Sequence, residues 1–140
     1  MHLSKNIEHI GMEFQWMTAR IDHLLNKNVS EFMSLPPVDA DTAYGKFITE
    51  HGFSDADRVM LDLAFISLFN PAILSPFAVL FSNPEKKSRF GGIFSEQEAQ
   101  FYPTVRTAIF LLAGDDPEMM NYYVSYFNSR HPLFTSNVLL

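Results

Sequence analysis

The sequence predicts a mostly α-helical fold: a single compact multi-helix domain with at most a small β-hairpin or a C-terminal strand. Three observations predict it. The first 25 residues carry a helical apolar stripe, and the helix-length apolar segments that follow are divided by proline, glycine and Asn-Pro or Asp-Pro pairs. The chain has 140 residues, of which 47% are hydrophobic and 14 are Phe, which suits one domain with a sizeable core.

A long amphipathic helix is predicted for residues 1–28. Its apolar side chains recur at spacings of four and three residues: Leu3, Ile7, Ile10, Phe14, Met17, Ile21 and Leu24. This seven-residue repeat fits a helix that packs on its own domain, and also one that pairs with a second copy or docks on a partner. We prefer packing on its own domain, because Trp16 widens the stripe. A linker over 29–38 follows, and its tandem prolines Pro36 and Pro37 cannot continue a helix.

Residues 39–140 form the predicted helical core, which opens with two helices. Asp39 to Asp41 are expected to cap a helix that runs through Glu50, and Ser54 is expected to cap the next. That second helix is almost wholly apolar, so it is expected to be central and buried on most sides. Its apolar side chains are Val59, Leu61, Leu63, Ala64, Phe65, Ile66, Leu68 and Phe69.

Two short helical segments and an exposed loop are predicted for the middle of the chain. Asn70-Pro71 restarts the chain, and Pro76 divides the next residues into two short helical pieces. Residues 82–100 contain Asn-Pro, Gly-Gly and several Glu and Gln. They are predicted to form an exposed loop with a short hairpin around Phe90 and Ile93.

The sharpest helix signals lie in the last third of the chain. Pro103 or Thr104 begins a helix, and Gly114 suits the residue that ends one. Asp116-Pro117 is a typical N-cap and first helical residue, so a closing helix is predicted over 117–127. The last residues, 133–140, predict a short strand, or the place where a longer polypeptide was cut.

This region also contains a motif, which consists of Pro103, Thr104, Thr107, Ala108, Phe110, Gly114 and Asp116. The motif resembles the Pro-Thr-x-x-Thr-Ala-x-Phe-Leu-Leu-Ala-Gly segment of the helical region that precedes the ATPase module in a group of bacterial AAA-type ATPases. Shorter matches follow the same order over residues 40–140: Tyr44-x-x-Phe47, Asp57-Arg58, Asn70-Pro71-x-x-Leu74, Gly91-Gly92 and Arg130-His131-Pro-Leu-Phe134. The chain departs from the family at Val105-Arg106 and at Met119-Met120, where the family favours Gly-Glu and an Arg.

The resemblance implies a non-catalytic N-terminal domain that binds a protein partner or regulates the adjoining ATPase module. The motif residues and His131 would then be structural, with His131 donating a buried hydrogen bond from its ring. The alternative is a free-standing interaction or regulatory protein that dimerises through its N-terminal helix. An unrecognised small enzyme is the third hypothesis.

Nucleotide binding by the chain itself is not predicted. No Gly-x-x-x-x-Gly-Lys-Ser/Thr sequence occurs, and Gly45-Lys46 lacks the upstream glycine of a phosphate-binding loop. We therefore expect no cofactor, and any ATPase activity would belong to residues outside this chain.

Metal sites and catalytic residues are not predicted either. Asp115, Asp116 and Glu118 could gather around a divalent cation, but acidic residues at a helix start are the simpler interpretation. His9 and Glu13 lie one turn apart, yet nothing completes a metal shell, so both are expected on the surface. No Gly-x-Ser-x-Gly sequence marks a serine nucleophile.

Asp62 and the basic residues of 86–89 each allow a structural and a functional interpretation. Asp62 lies among apolar residues, so it either faces the one solvent-exposed stripe of its helix or pairs with a base such as Arg58. A structural ion pair is expected rather than a catalytic carboxylate. The basic residues of 86–89, followed by Phe90, are typical of a loop that binds single-stranded nucleic acid, but a solvated loop is favoured.

The composition limits the classes of partner and the cellular compartment that are expected for this chain. A net charge of −6 and a pI near 5.2 disfavour general nucleic-acid binding and anionic membranes. Cysteine is absent, and no apolar run approaches the ~20 residues of a membrane-spanning helix. The N-terminus lacks the pattern of a signal peptide, so a cytoplasmic protein is expected.

Overall fold

The computed structural model describes residues 3–26 and 34–129. In chain order the elements are α1 Leu3–Asn26, α2 Ala43–Glu50, α3 Asp55–Phe69, a 3-10 helix Pro71–Leu74, α4 Ser75–Leu80, α5 Pro84–Phe90, β1 Ile93–Ser95, β2 Gln100–Tyr102, α6 Val105–Ala113 and α7 Pro117–Ser129. The two strands pair antiparallel as a small hairpin. The prediction of a mostly α-helical fold is confirmed, whereas His131 and the proposed strand over 133–140 lie outside the described residues.

The buried face of α1 differs from the predicted stripe. Met17, Ile21 and Leu24 are buried as expected, but Ile7 is 63% exposed. His9, Glu13, Trp16 and Arg20 are buried in its place. At about 100° of rotation per residue, the true inward face lies roughly 70° around the helix from the apolar stripe. The N-terminal half of α1 therefore turns polar groups toward the domain.

Side-chain caps fix most of the helix starts. The Ser54 side chain accepts from the Asp57 backbone N–H at 3.3 Å, as predicted for α3. The cap of α2 is Thr42, not Asp39 to Asp41, and its hydroxyl accepts from the Gly45 N–H at 2.8 Å. Thr104 begins α6 as predicted.

The prediction of an exposed loop over 82–100 is wrong for its first half. Asn83 caps α5 by accepting from the Lys86 N–H, and Pro84 occupies the helix start, where its missing N–H costs nothing. Phe90 ends this helix fully buried, so it does not belong to the hairpin. The hairpin instead joins residues 93–95 to residues 100–102.

The described residues contain two separate hydrophobic cores. The main core gathers side chains from α1, α3, α6 and the segments between them, and its centre is a cluster of phenylalanine rings. These rings belong to Phe77, Phe90, Phe101 and Phe110, with contacting pairs 4.7 to 6.3 Å apart. A smaller satellite core of Tyr44, Ile48 and Leu61 lies where α2 covers α1 and α3.

The prediction that α3 is buried on most sides holds up to Ile66 but not at the end of the helix. Val59, Leu63 and Ile66 are at most 3% exposed, but Leu68 and Phe69 are 75% and 73% exposed. No single helix within the described ranges is long and apolar enough to cross a membrane. Taken together, α3 and residues 71–80 reach that length and composition, but they bend by 114° at the break between them.

Candidate functional site

The residues of the family-like motif lie in the core or at helix ends. Thr107, Ala108 and Phe110 are fully buried, and the Thr107 hydroxyl accepts from the Thr104 N–H at 3.1 Å. Gly114 ends α6 with a φ of 61°, which favours glycine. Asp116 accepts from the Glu118 and Met119 N–H groups and so caps α7. In the structure, these motif residues therefore pack the core and cap helix ends.

A buried arginine joins α1 to the end of α6. Arg20 is fully buried, and its Nε donates to the Leu111 carbonyl at 2.8 Å. That carbonyl belongs to the last turn of α6, where carbonyls lack intrahelical partners and the helix dipole is negative. Burial lowers the pKa of Arg20. The contact is a structural tie between two helices that are distant in sequence.

The most concentrated polar group in the described residues is a cluster of Glu13, Tyr44, Arg58 and Asp62. Arg58 donates to Glu13 Oε2 at 2.6 Å and to the Pro36 carbonyl at 2.7 Å. The Tyr44 hydroxyl lies 2.9 Å from Glu13 Oε1 and 2.7 Å from Asp62 Oδ1. The four residues are 0 to 5% exposed, so the cluster is closed to solvent.

The electrostatics of the cluster follow from its burial. Burial raises the pKa of Asp62 well above its usual range, and the charge of Glu13 raises it further. Burial also raises the pKa of Tyr44, with the two carboxyl groups adding to the effect. Burial alone would lower the pKa of Arg58, but the charge of Glu13 raises it overall. Burial and the neighbouring charge thus favour the neutral form of the Asp62 carboxyl group.

His9 lies next to the cluster, with its ring 5.0 Å from that of Tyr44. The Thr42 hydroxyl donates its single hydrogen to the Asp39 carbonyl at 2.8 Å, so it must accept from His9 Nδ1 at 3.3 Å. This network assigns the hydrogen of the imidazole to Nδ1. His9 Nε2 is buried and has no hydrogen-bond partner among the described residues.

These contacts correct two predictions. His9 and Glu13 were expected on the surface, but they are 2% and 0% exposed. Asp62 does not form the predicted ion pair with Arg58, because Arg58 points to Glu13 while Asp62 meets Tyr44. The cluster therefore joins three helices, where the sequence predicted an ion pair within one.

The other residues that were considered for nucleotide, metal or nucleic-acid binding have structural roles. Gly45 of the Gly45-Lys46 pair is buried inside α2, next to the Asp39 carbonyl. Asp115 accepts from Arg89 at 2.6 and 2.9 Å. Phe90 is buried in the core, so it has no face for a nucleic-acid base. No group of three or more acidic, histidine or cysteine side chains that could hold a metal ion occurs in residues 3–26 and 34–129.

The described surface also carries large exposed apolar side chains. Leu68 and Phe69 project at the end of α3, and the Phe69 ring lies 6.2 Å from that of the half-buried Phe65. The next residue, Asn70, lines an open groove of about 620 Å³ between α1 and the 3-10 helix, and the lining also includes Phe14 and Ile73. The groove thus offers apolar side chains together with polar ones such as Asp22.

No protein-family model, curated protein or solved structure matches this chain.

Proposed function

We propose that the chain is a non-catalytic helical domain that binds a protein partner or regulates an AAA-type ATPase, working in the bacterial cytoplasm. The observation that carries the binding role is the pair Leu68 and Phe69, which are 75% and 73% exposed at the end of a helix that is otherwise mostly buried. Large apolar side chains that lie together at a surface are typical of protein-binding sites. The connection to an ATPase comes from the sequence resemblance over residues 40–140.

The placement of polar groups supports a binding role over a catalytic one. The carboxyl groups of Glu13 and Asp62 face Tyr44 and Arg58 inside the domain. Catalytic groups must reach the substrate, usually in an open pocket. In the open groove, the one acidic residue among those that line it, Asp22, accepts from Asn26 at 2.7 Å.

The test begins with the coding sequence, in which an ATPase module with a Walker motif is sought in the same or the neighbouring reading frame. The purified module is titrated with the domain while its ATPase rate and the dissociation constant are measured. We expect binding or a changed rate with the wild-type domain. We expect loss of that effect in Leu68→Ser/Phe69→Ser, while its unfolding free energy stays within about 0.5 kcal/mol of wild type.

Val79→Ser is the matched control, because Val79 is 75% exposed but lies on α4. It should bind like the wild type. A wild-type domain that neither binds the module nor alters its rate would refute the ATPase connection. A double variant that binds normally would refute the role of Leu68 and Phe69.

A free-standing interaction protein that dimerises through α1 is the second proposal. It is favoured by Ile7 and Met12, which are 63% and 39% exposed on that helix. Met17, Ile21 and Leu24 are committed to the domain's own core, so only the N-terminal half of α1 offers apolar surface for pairing. Light scattering after gel filtration should then show a dimer that Ile7→Ser converts to a monomer, whereas a wild-type monomer would exclude this alternative.

A further inference from the structure

The contacts of Tyr44 require one more proton than the phenol supplies. Its hydroxyl lies within hydrogen-bond distance of Glu13 Oε1, at 2.9 Å, and of Asp62 Oδ1, at 2.7 Å. A phenol has one hydrogen to donate, and an ionised carboxylate can only accept. If both carboxyl groups were ionised, one of these short contacts would hold two acceptors without a hydrogen. One carboxyl group must therefore carry a proton.

The charge balance of the site also requires that one of the two carboxyl groups carries a proton. Glu13 and Asp62 are both fully buried, and Arg58, 2.6 Å from Glu13, is the cation beside them. A second buried carboxylate would lack a compensating charge, which is costly in a site away from water. The raised pKa of Asp62, which burial causes first and the neighbouring Glu13 second, agrees with a neutral acid at that position. No N–H or O–H group of the described residues donates to its Oδ2.

The other titratable groups beside the cluster do not supply the missing hydrogen to the contacts of Tyr44. On α1, His9 faces the Tyr44 ring, and its Nδ1 hydrogen is used by Thr42. On α3, Asp55 lies 3.4 Å from Arg58 on the exposed side. Asp57 turns away from the cluster and accepts from Ser54 and Tyr126.

The cluster holds α2 against the rest of the domain. Tyr44 is on α2, Glu13 on α1, and Arg58 and Asp62 on α3, while Arg58 also holds the Pro36 carbonyl before α2. The apolar cover at this place is the satellite core of Tyr44, Ile48 and Leu61, which is separate from the main core. Loss of the polar contacts thus weakens α2 without removing contacts from the phenylalanine cluster.

We propose that a single proton held between Glu13 and Asp62 latches α2 onto α1 and α3, and that its loss at higher pH releases α2 and residues 36–42 while the main core, which includes Leu35, stays folded. Release gives the proton to solvent and exposes both carboxylates to water. In the released state Asp62 returns to the ordinary carboxyl range. The latched state therefore binds more protons, so its stability is greatest below the ordinary value of 3.8 and falls as pH rises toward the value in the latched state. This inference does not depend on the proposed partner.

Hydrogen exchange measured by mass spectrometry tests the latch on the whole chain. Exchange of peptides from residues 34–53 and 105–127 is followed between about pH 5 and pH 8 and corrected for the intrinsic pH dependence. We expect protection of 34–53 to fall by at least about tenfold in total, since one pKa unit corresponds to a tenfold change in the opening equilibrium. Protection of 105–127 should change much less.

Asp62→Asn is the decisive variant, because an amide keeps a neutral group that can donate to Glu13 and accept from Tyr44. Its protection of 34–53 should be independent of pH. Asp115→Asn is the matched control: it removes a carboxylate that is 53% exposed and paired with Arg89, and it should keep the wild-type pH dependence. A flat wild-type profile, or an Asp62→Asn profile as steep as that of the wild type, overturns the proposal.

Infrared spectroscopy of the wild-type protein tests the proton even if the variant does not fold. In heavy water near neutral pH, one protonated carboxyl group should give a C=O band separate from those of ionised carboxylates. Carbon-13 labelling of aspartate or of glutamate should shift that band. A spectrum with no protonated-carboxyl band at neutral pH would overturn the proposal.

Discussion

At the residue scale, the polar side chains of α1 decide which face of the helix turns inward. Asn6, His9, Glu13 and Arg20 follow helical spacing, and each meets a partner on another element. The Asn6 side chain accepts from the Tyr44 N–H at 2.8 Å, which adds a further tie between α1 and α2. If α1 were rotated to bury Ile7, buried partners of these side chains such as Tyr44 and Arg58 would lose hydrogen bonds, and each such loss costs about 1–3 kcal/mol.

Tyr44→Phe tests the strength of this polar packing. Removing the hydroxyl leaves Glu13 and Asp62 without their shared donor, so we expect a loss of about 1–3 kcal/mol in the free energy of unfolding at neutral pH. Urea denaturation measures it. Tyr122→Phe is the control, because Tyr122 is 58% exposed on α7. Equal midpoints for the two variants would show that the Tyr44 hydroxyl contributes nothing to stability.

The two helical glycines outside turns should respond in opposite directions to alanine. A Cβ at Gly45 would overlap the Asp39 carbonyl, so Gly45→Ala should destabilise the domain by about 1–3 kcal/mol. Gly11 has nothing within 4 Å of a built Cβ, so Gly11→Ala should stabilise the domain by about 0.5–1 kcal/mol. Thermal denaturation of both variants checks the pair, and a tolerated Gly45→Ala would mean that α2 shifts freely on residues 39–42.

At the element scale, α1 contributes two different surfaces along its length. Its C-terminal half places Met17, Ile21 and Leu24 in the main core, whereas its N-terminal half places polar groups against α2. A helix this long can change partners along its axis, because each turn contacts a different neighbour. The predicted apolar stripe of α1 is therefore fully buried only where α1 packs against the main core.

Paired substitutions on α1 test this division. Ile21 is 1% exposed, so Ile21→Ala should cost about 2–5 kcal/mol through lost contacts and a cavity. Ile7 is 63% exposed, so Ile7→Ala should change stability by no more than about 0.5 kcal/mol. Chemical denaturation of the two proteins gives the comparison. Similar losses at both positions would indicate that the predicted stripe, rather than the rotated face, is buried.

At the scale of the whole molecule, two cores of unequal size give the domain a strong part and a weak part. The main core includes the ring cluster around Phe110, which is fully buried. The satellite core has three buried side chains and covers the polar cluster. Regions with few buried apolar contacts open at lower free energy than the global unfolding reaction.

Truncating a side chain in the main core should therefore destabilise the whole domain, whereas truncating one in the satellite core should affect mainly α2. Phe110→Ala should lower the global free energy of unfolding by about 3–5 kcal/mol and speed exchange throughout the described helices. Ile48→Ala should speed exchange mainly over residues 43–50 and leave the amides of α6 near their wild-type protection. Native-state hydrogen exchange separates the two outcomes. Equal acceleration everywhere by Ile48→Ala would mean that the two cores unfold as one unit.

The elements with strong local signals could be predicted from the amino-acid sequence. Ser54, Thr104 and Asp116 begin helices as predicted, and Gly114 ends one, because capping and chain reversal depend on a few neighbouring residues. The alternation of apolar segments with proline also predicted the fold class. A local signal was overlooked at Asn83-Pro84, where the same cap-and-proline pattern begins α5.

The roles of the polar residues depend on how the helices pack against one another. The spacing of His9, Glu13 and Arg20 is visible in the sequence, but it equally fits a solvated face. Glu13 is 45 residues from Arg58 and 31 from Tyr44, and such pairings depend on how three helices cross. The burial of these groups, and with it the proton they require, is set by that crossing, because local spacing fixes a helix face but not the neighbour that covers it.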